Sequence, residues 1–100
     1  MNKFRFFAPC PACGIGKPYL HEHNNCSSYE EIDEDGMIYC RGCNSNLGFI
    51  ADLTYRCHNH EDFRKGDYTS IMRTLSVMSL CENVPRSFLK KIIFKIEEVL

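Results

Sequence analysis

Four pairs of metal-binding residues dominate the first sixty residues of this 100-residue chain, and each pair leaves two residues between its members. In chain order the pairs are Cys10 and Cys13, His23 and Cys26, Cys40 and Cys43, and Cys57 and His60. Two intervening residues allow a tight turn to bring both side chains to one tetrahedral ion. One such pair is a weak signal, but four of them predict two Zn²⁺ ions, each held by four of these residues.

The predicted ions are structural rather than catalytic. A catalytic zinc keeps one coordination position open for water, whereas eight ligands close two tetrahedral sites completely. The apolar segments between the pairs are short, and a unit of about sixty residues with so little core needs a staple. Structural zinc can contribute about 10 kcal/mol to folding. We therefore expect a metal-stabilised protein that is not an enzyme.

Two matched pairs suggest how the ligands divide between the ions. Cys10-Pro-Ala-Cys13-Gly14 and Cys40-Arg-Gly-Cys43-Asn44 resemble the rubredoxin-type zinc knuckle of zinc ribbons. In such knuckles the residue after the second cysteine favours a left-handed backbone, which Gly adopts freely and Asn tolerates. The resemblance implies one all-cysteine site, and the remaining ligands then form a mixed site of two cysteines and two histidines.

This interleaved order, in which the first pair joins the third and the second joins the fourth, resembles the cross-brace of RING and ZZ domains. A sequential arrangement, in which neighbouring pairs share an ion, stays open. Two histidine choices stay open as well. His21 could replace His23, and His58 could replace His60, although the regular spacing favours His23 and His60.

The predicted fold is a small α+β protein. A two-zinc unit of short β-hairpins, of ribbon, treble-clef or cross-brace type, occupies residues 1–61, and a helical hairpin packed on it occupies residues 62–100. Strands are expected at residues 36–39, 47–50 and 53–56, with a fourth at 4–7. Helices are expected at residues 68–82 and 86–99. The acidic segment at residues 30–35 is interpreted as a solvated turn.

The helical part carries apolar residues on more than one side. The second helix has one wide core-facing stripe, made of Phe88, Leu89, Ile92, Ile93, Ile96, Val99 and Leu100. Phe94 lies opposite that stripe among charged residues. Val77 and Leu80 lie on the side of the first helix opposite its own core face. A helix that is apolar on both sides requires burial on both sides, so these three residues are predicted to contact a protein partner.

Non-catalytic interaction within a larger protein assembly is therefore the favoured function. A RING-like ubiquitin ligase is one alternative, although Pro11 and Ala12 stand where ligase domains usually carry a bulky aliphatic residue, and the chain has no tryptophan. A zinc-ribbon nucleic-acid subunit is the other. The net charge of −1 and the lack of a Lys/Arg cluster outside the last fifteen residues disfavour it.

The seven cysteines also bear on location. No signal-peptide core is recognisable in the opening residues, and the cysteine count is odd. Thiols in this setting more often bind metal in a reducing compartment than form disulfides. We expect an intracellular protein, preferably cytoplasmic, with cytoskeletal, nuclear and organellar assemblies left open. No apolar run approaches the ~20 residues that span a bilayer, so membrane insertion is not expected.

Overall fold

The computed structural model describes residues 2–6, 17–18, 29–56, 63–65 and 68–99. These ranges contain seven strands, two α-helices and one turn of 3₁₀-helix at Ile50–Asp52. The strands are β1 (Lys3–Arg5), β2 (Lys17–Pro18), β3 (Glu30–Asp33), β4 (Met37–Cys40), β5 (Asn46–Phe49), β6 (Thr54–Arg56) and β7 (Phe63–Lys65). The helices are α1 (Tyr68–Glu82) and α2 (Arg86–Val99). The small α+β class predicted from the sequence is confirmed.

The strands form two antiparallel sheets. The larger sheet has the order β1-β3-β4-β5, and the smaller one has the order β2-β6-β7. The four predicted strands correspond to β1, β4, β5 and β6, with ends that differ by one or two residues. Phe4 stands opposite Ile32, which in turn stands opposite Ile38. Because side chains alternate between the two faces of a strand, these residues share one face of the larger sheet.

That apolar face forms the core together with both helices. The rings of Phe4 and of Phe88 in α2 pack edge to face, with their centroids 4.8 Å apart and their planes inclined by 77°. The described core also contains Phe6, Ile32, Ile38, Cys40, Leu47, Ile50, Ala51, Leu53, Ile71, Leu75, Met78, Val84, Phe88, Ile92 and Ile96. The sheet and the helices therefore share one hydrophobic core, across the predicted division after residue 61.

The acidic segment at residues 30–35 was predicted as a solvated turn, and this prediction is wrong for its first four residues, which form strand β3. Asp33 is only 1% exposed. Its Oδ1 accepts hydrogen bonds from the backbone N–H groups of Asp35 at 2.9 Å and Met37 at 3.0 Å. The Asp33 carboxylate thus closes the β3–β4 turn, and the two backbone N–H groups supply the hydrogen bonds that a buried acid needs.

Gly36 completes this turn with a positive φ of 81°. A Cβ added at Gly36 would lie 2.7 Å from Cε1 of Phe49, closer than real Cβ atoms approach. Both the backbone conformation and the space therefore require glycine at this position.

Both helices begin and end where the sequence predicts. Asn83 has a left-handed φ of 53° directly after α1, which fits the tolerance of Asn for that conformation at a helix end. The N–H groups of Phe88 and Leu89 both donate to the carbonyl of Pro85, at 3.1 and 3.2 Å. Pro85 therefore precedes the first turn of α2, where its missing N–H leaves no bond unmade.

The predicted core stripe of α2 is confirmed for Phe88, Ile92 and Ile96, which are buried, but it is wrong for Val99, which is 64% exposed. Val99 is the last residue of the helix. On a helical wheel Val99 lies on the same side as the buried residues. A helical wheel gives only this direction, however, and does not show whether the rest of the protein extends far enough to cover the end of the helix. Among the described helices, none is long and apolar enough to cross a membrane.

Candidate functional site

The third of the predicted ligand pairs, Cys40 and Cys43, lies at the tip of the β4–β5 hairpin. Cys40 is the last residue of β4, and the loop returns through Ser45 before β5 begins. The backbone N–H of Cys40 donates to the Ser45 carbonyl at 3.0 Å, and the N–H of Asn44 donates to the Cys40 carbonyl at 2.8 Å. These two bonds close a tight loop that holds both cysteines of the pair at one end of the sheet.

Asn44 adopts the left-handed conformation that the knuckle resemblance predicts, with a φ of 58°. A non-glycine residue at positive φ is uncommon, and Asn is among the residues that tolerate it best. Both Cys40 and Cys43 are thiols rather than halves of a disulfide. The hairpin loop therefore combines two cysteine thiols with a left-handed residue directly after the second one.

The two thiols differ in their surroundings. Cys40, at the end of β4, is fully buried, whereas Cys43 is exposed, and its thiol donates a hydrogen bond to Oγ of Ser45 at 3.2 Å. A hydroxyl at this distance can donate to the sulfur when the sulfur is a thiolate. The sequence reasoning missed Ser45, although its place two residues after the second cysteine is visible in the sequence.

A buried acid shares the face of Cys40. Glu30 is 5% exposed and stands directly opposite Cys40 in the β3–β4 register. Directly opposed residues project to the same side of an antiparallel sheet. The sequence reasoning did not find this neighbour because it depends on the pairing of β3, which was not predicted.

The other six predicted ligands lie outside the described residues. They are Cys10, Cys13, His23, Cys26, Cys57 and His60, together with the alternatives His21 and His58. Within the part of the chain that the structure describes, no three His, Cys, Asp or Glu side chains come together as a metal site. The two-ion arrangement, its interleaved or sequential pairing and the histidine choices therefore stay predictions.

The predicted contact residues on the helices are exposed where the structure describes them. Leu80 of α1 is 84% exposed, and Phe94 of α2 is 63% exposed. The side chain of Val77 lies outside the described set. Side chains of this type are more often buried than exposed in folded proteins, although single exposed ones are common. Ile92 and Ile96, two residues to either side of Phe94 along the helix, are fully buried.

The face of the larger sheet opposite the helices is polar. Nζ of Lys3 lies 4.0 Å from the ring centre of Tyr39, and Cζ of Arg5 lies 4.7 Å from the ring centre of Tyr29. Both are cation–π distances. The alternation of basic and aromatic residues in Lys3-Phe4-Arg5 signals a strand with one polar face, but its partners could not be identified without the register.

Acidic groups balance part of this face. Glu31 lies 3.8 Å from the guanidinium of Arg41. Partial burial raises the pKa of the Tyr39 phenol above its ordinary value, and the negative charge and hydrogen bond of Asp33 raise it further. Burial and the Asp33 carboxylate therefore both favour the neutral form of Tyr39, which can donate a hydrogen bond to Asp33.

Comparisons with known proteins return no match: no family model, no curated protein and no solved structure is detectably similar to this chain.

Proposed function

We propose that this protein is a zinc-stabilised, non-catalytic interaction subunit of a larger protein assembly. The observation that carries the proposal is the exposure of Leu80 and Phe94, at 84% and 63%, on helices whose other faces are buried in the core. Aromatic and aliphatic residues of this kind serve as anchors at protein interfaces when a partner covers them. The C-terminal helices are accordingly the proposed contact surface.

The proposed metal content is two structural Zn²⁺ ions. Their ligands would be Cys10, Cys13, Cys40, Cys43, His23, Cys26, Cys57 and His60. The closed Cys40–Cys43 loop supports this proposal, because the left-handed Asn44 and the two thiols are what a zinc knuckle requires. The proposed metal would hold this loop in place and would have no catalytic role. Thiolate ligation fits a reducing intracellular compartment, and we propose the cytoplasm.

The metal proposal has a direct test. The protein, purified without added metal, is expected to contain two zinc ions per chain by elemental analysis. Cys43→Ser should lower this number, whereas Cys81→Ser, at a cysteine outside the four pairs, should leave it unchanged. Full zinc content in a chain that lacks all eight ligands would overturn the assignment.

The interaction proposal is tested by the native complex. A tagged chain expressed in its own cells is expected to co-purify with a defined partner at fixed stoichiometry. Leu80→Glu and Phe94→Glu should abolish the complex, because a charge replaces an apolar anchor. Ser87→Glu is the matched control, since Ser87 is also exposed on α2. A monomeric native protein, or a complex indifferent to both changes, would contradict the proposal.

A second candidate function rests on the polar sheet face. Tyrosine rings beside lysine and arginine are typical of surfaces on which single-stranded nucleic acid stacks. The pairs Lys3–Tyr39 and Arg5–Tyr29 provide this chemistry. Salt-sensitive binding of single-stranded RNA that is lost in Tyr29→Ala and retained in Tyr68→Ala would favour this candidate, because Tyr68 is equally exposed but lies on α1.

A further inference from the structure

A groove runs between α2 and the β3–β4 turn. Its volume is about 410 Å³, and its lining residues are Glu34, Asp35, Lys90, Lys91, Phe94 and Lys95. One wall is fixed by an ion pair between Lys91 Nζ and Glu34 Oε2 at 3.1 Å. This pair joins residues 57 positions apart in the chain, so the groove exists only because α2 packs beside the turn.

The charges left in the groove favour an anionic occupant. Lys91 is matched by Glu34, whereas Lys90 and Lys95 form no ion pair with any residue that the structure describes. Asp35 is the remaining acid of the lining. Once Lys91 is paired with Glu34, the lining therefore has two positive side chains and one negative side chain. Charge complementarity guides recognition at such surfaces.

Phe94 adds an apolar contact between these lysines. It is 63% exposed, and Lys90 and Lys95 lie four residues before it and one residue after it. An occupant that covers the ring therefore brings its neighbouring groups close to two ammonium groups. The combination selects a ligand that carries an apolar side chain beside carboxylates.

We propose that this groove binds an acidic segment of a partner protein, with an apolar side chain of that segment covering Phe94. The inference rests on the proposed interaction function and names the chemistry of its partner. A narrow peptide can direct its carboxylates to Lys90 and Lys95 alone. A flat anionic membrane would also meet Glu34 and Asp35, and these acids would repel it.

The test uses the full zinc-loaded chain and fluorescence anisotropy with three labelled peptides. The first carries Glu and Asp residues around a Phe-Leu pair, the second has Lys in place of every acid, and the third has Ala in place of Phe-Leu. The first peptide is expected to bind. The second should not bind, and the third should bind about tenfold more weakly.

Charge reversal sharpens the result. Lys90→Glu and Lys95→Glu should each weaken binding of the acidic peptide by about tenfold, and the double variant should bind the basic peptide instead. Arg86→Glu is the matched control, because it changes the same charge at an exposed position of α2 outside the groove, and it should leave binding unchanged. All of these side chains are exposed, so folding is expected to persist, which far-UV circular dichroism verifies.

Three outcomes would overturn the inference. The acidic peptide could bind the reversal variants as well as it binds the natural chain, or the basic peptide could bind the natural chain better. Phosphatidylserine vesicles could bind while no peptide does. The native complex separates the two proposals. A complex lost in Phe94→Glu but intact in both lysine variants retains the interaction function and overturns the acidic partner, whereas a complex unaffected by Phe94→Glu and Leu80→Glu overturns both.

Discussion

The Cys40–Cys43 loop and the helix-covered core lie on the same strands, yet they are stabilised by different means. Ile38 in the middle of β4 and Ile92 on α2 have no exposed surface, so burial of apolar area stabilises this region. Two residues further along β4 the chain enters a loop in which residues 41–44 are all exposed. That loop has hydrogen bonds and thiols but little burial. The core is therefore stabilised by packing, and the proposed Zn²⁺ would supply what the exposed loop lacks in burial.

Removal of zinc is expected to have the largest effect and to divide the two regions. Structural zinc contributes about 10 kcal/mol or more where it binds, so chelation should abolish amide-exchange protection in the loop at residues 40–46. The helices and the centre of β4 should keep theirs, because their apolar core remains. Mass spectrometry of deuterium uptake before and after chelation measures this. Equal protection of the loop in both states would show that metal does not stabilise it.

Truncation within the core should destabilise the other region. Ile38→Ala and Ile92→Ala each leave a cavity, and losses of about 2–5 kcal/mol in the free energy of unfolding are expected. Val99→Ala is the control, because Val99 is 64% exposed and its loss should cost less than about 0.5 kcal/mol. Urea denaturation of the zinc-loaded protein provides the values. If the core variants lost no more free energy of unfolding than Val99→Ala, the conclusion that apolar packing stabilises this region would be wrong.

The turn at the other end of β4 should show an intermediate effect. Asp33→Ala leaves the N–H groups of Asp35 and Met37 without their acceptor, and a loss of about 1–3 kcal/mol is expected. Asp35→Ala changes an exposed carboxylate in the same turn and should be nearly neutral. Thermal unfolding of the two variants side by side gives the comparison. Equal melting temperatures would mean that the Asp33 hydrogen bonds do not stabilise the hairpin.

A change of backbone preference at Asn44 should alter the affinity for metal, although Asn44 is not itself a predicted ligand. Asn44→Val places a β-branched residue at a φ of 58°, which costs about 1–2 kcal/mol. Asn44→Gly removes that cost and should bind metal at least as tightly as the natural chain. Competition for Co²⁺ against a chelator ranks the three proteins. An affinity of the valine variant equal to that of the glycine variant would indicate that the left-handed residue is not needed for metal binding.

The ion pair between α2 and the turn should have the smallest effect. Lys91→Ala removes the 3.1 Å contact with Glu34, but both side chains are partly in solvent. Exposed pairs contribute less than about 1 kcal/mol. Denaturation at low and high salt checks the value, and the difference between the natural chain and the variant should shrink as salt rises. A large, salt-independent loss would instead mean that the lysine stem packs against the fold.

Residue periodicity was sufficient to predict the helices, because the apolar stripes of α1 and α2 repeat at helical spacing over four turns. Strands β4 and β5 were recognisable from apolar runs that flank Cys40 and Cys43. Strand β3 was not, because Glu30, Glu31 and Asp33 leave Ile32 as its only apolar residue. The acidic residues of β3 are accommodated by contacts with residues distant in sequence, such as Arg41 beside Glu31. Such contacts cannot be inferred from the local composition.

The same limit applies to the candidate site. Ligand spacing predicted Cys40 and Cys43 as metal ligands, which stays a prediction, whereas the left-handed conformation predicted from residue type at Asn44 is confirmed. The groove beside Phe94 could not be predicted, since it joins α2 to a turn whose preceding strand was missed. Pairing between elements, rather than the identity of any one residue, determines where Glu34 lies relative to Lys91.

The contact between Gly36 and Phe49 has a consequence for evolution. Position 36 has no room for a methyl group because the Phe49 ring occupies that space, and its dihedral angle excludes most other residues in any case. The two sites should therefore vary together. In any relative that shares this hairpin, we expect glycine to be retained at 36, and any replacement there to coincide with a smaller side chain at 49 and a remodelled bend.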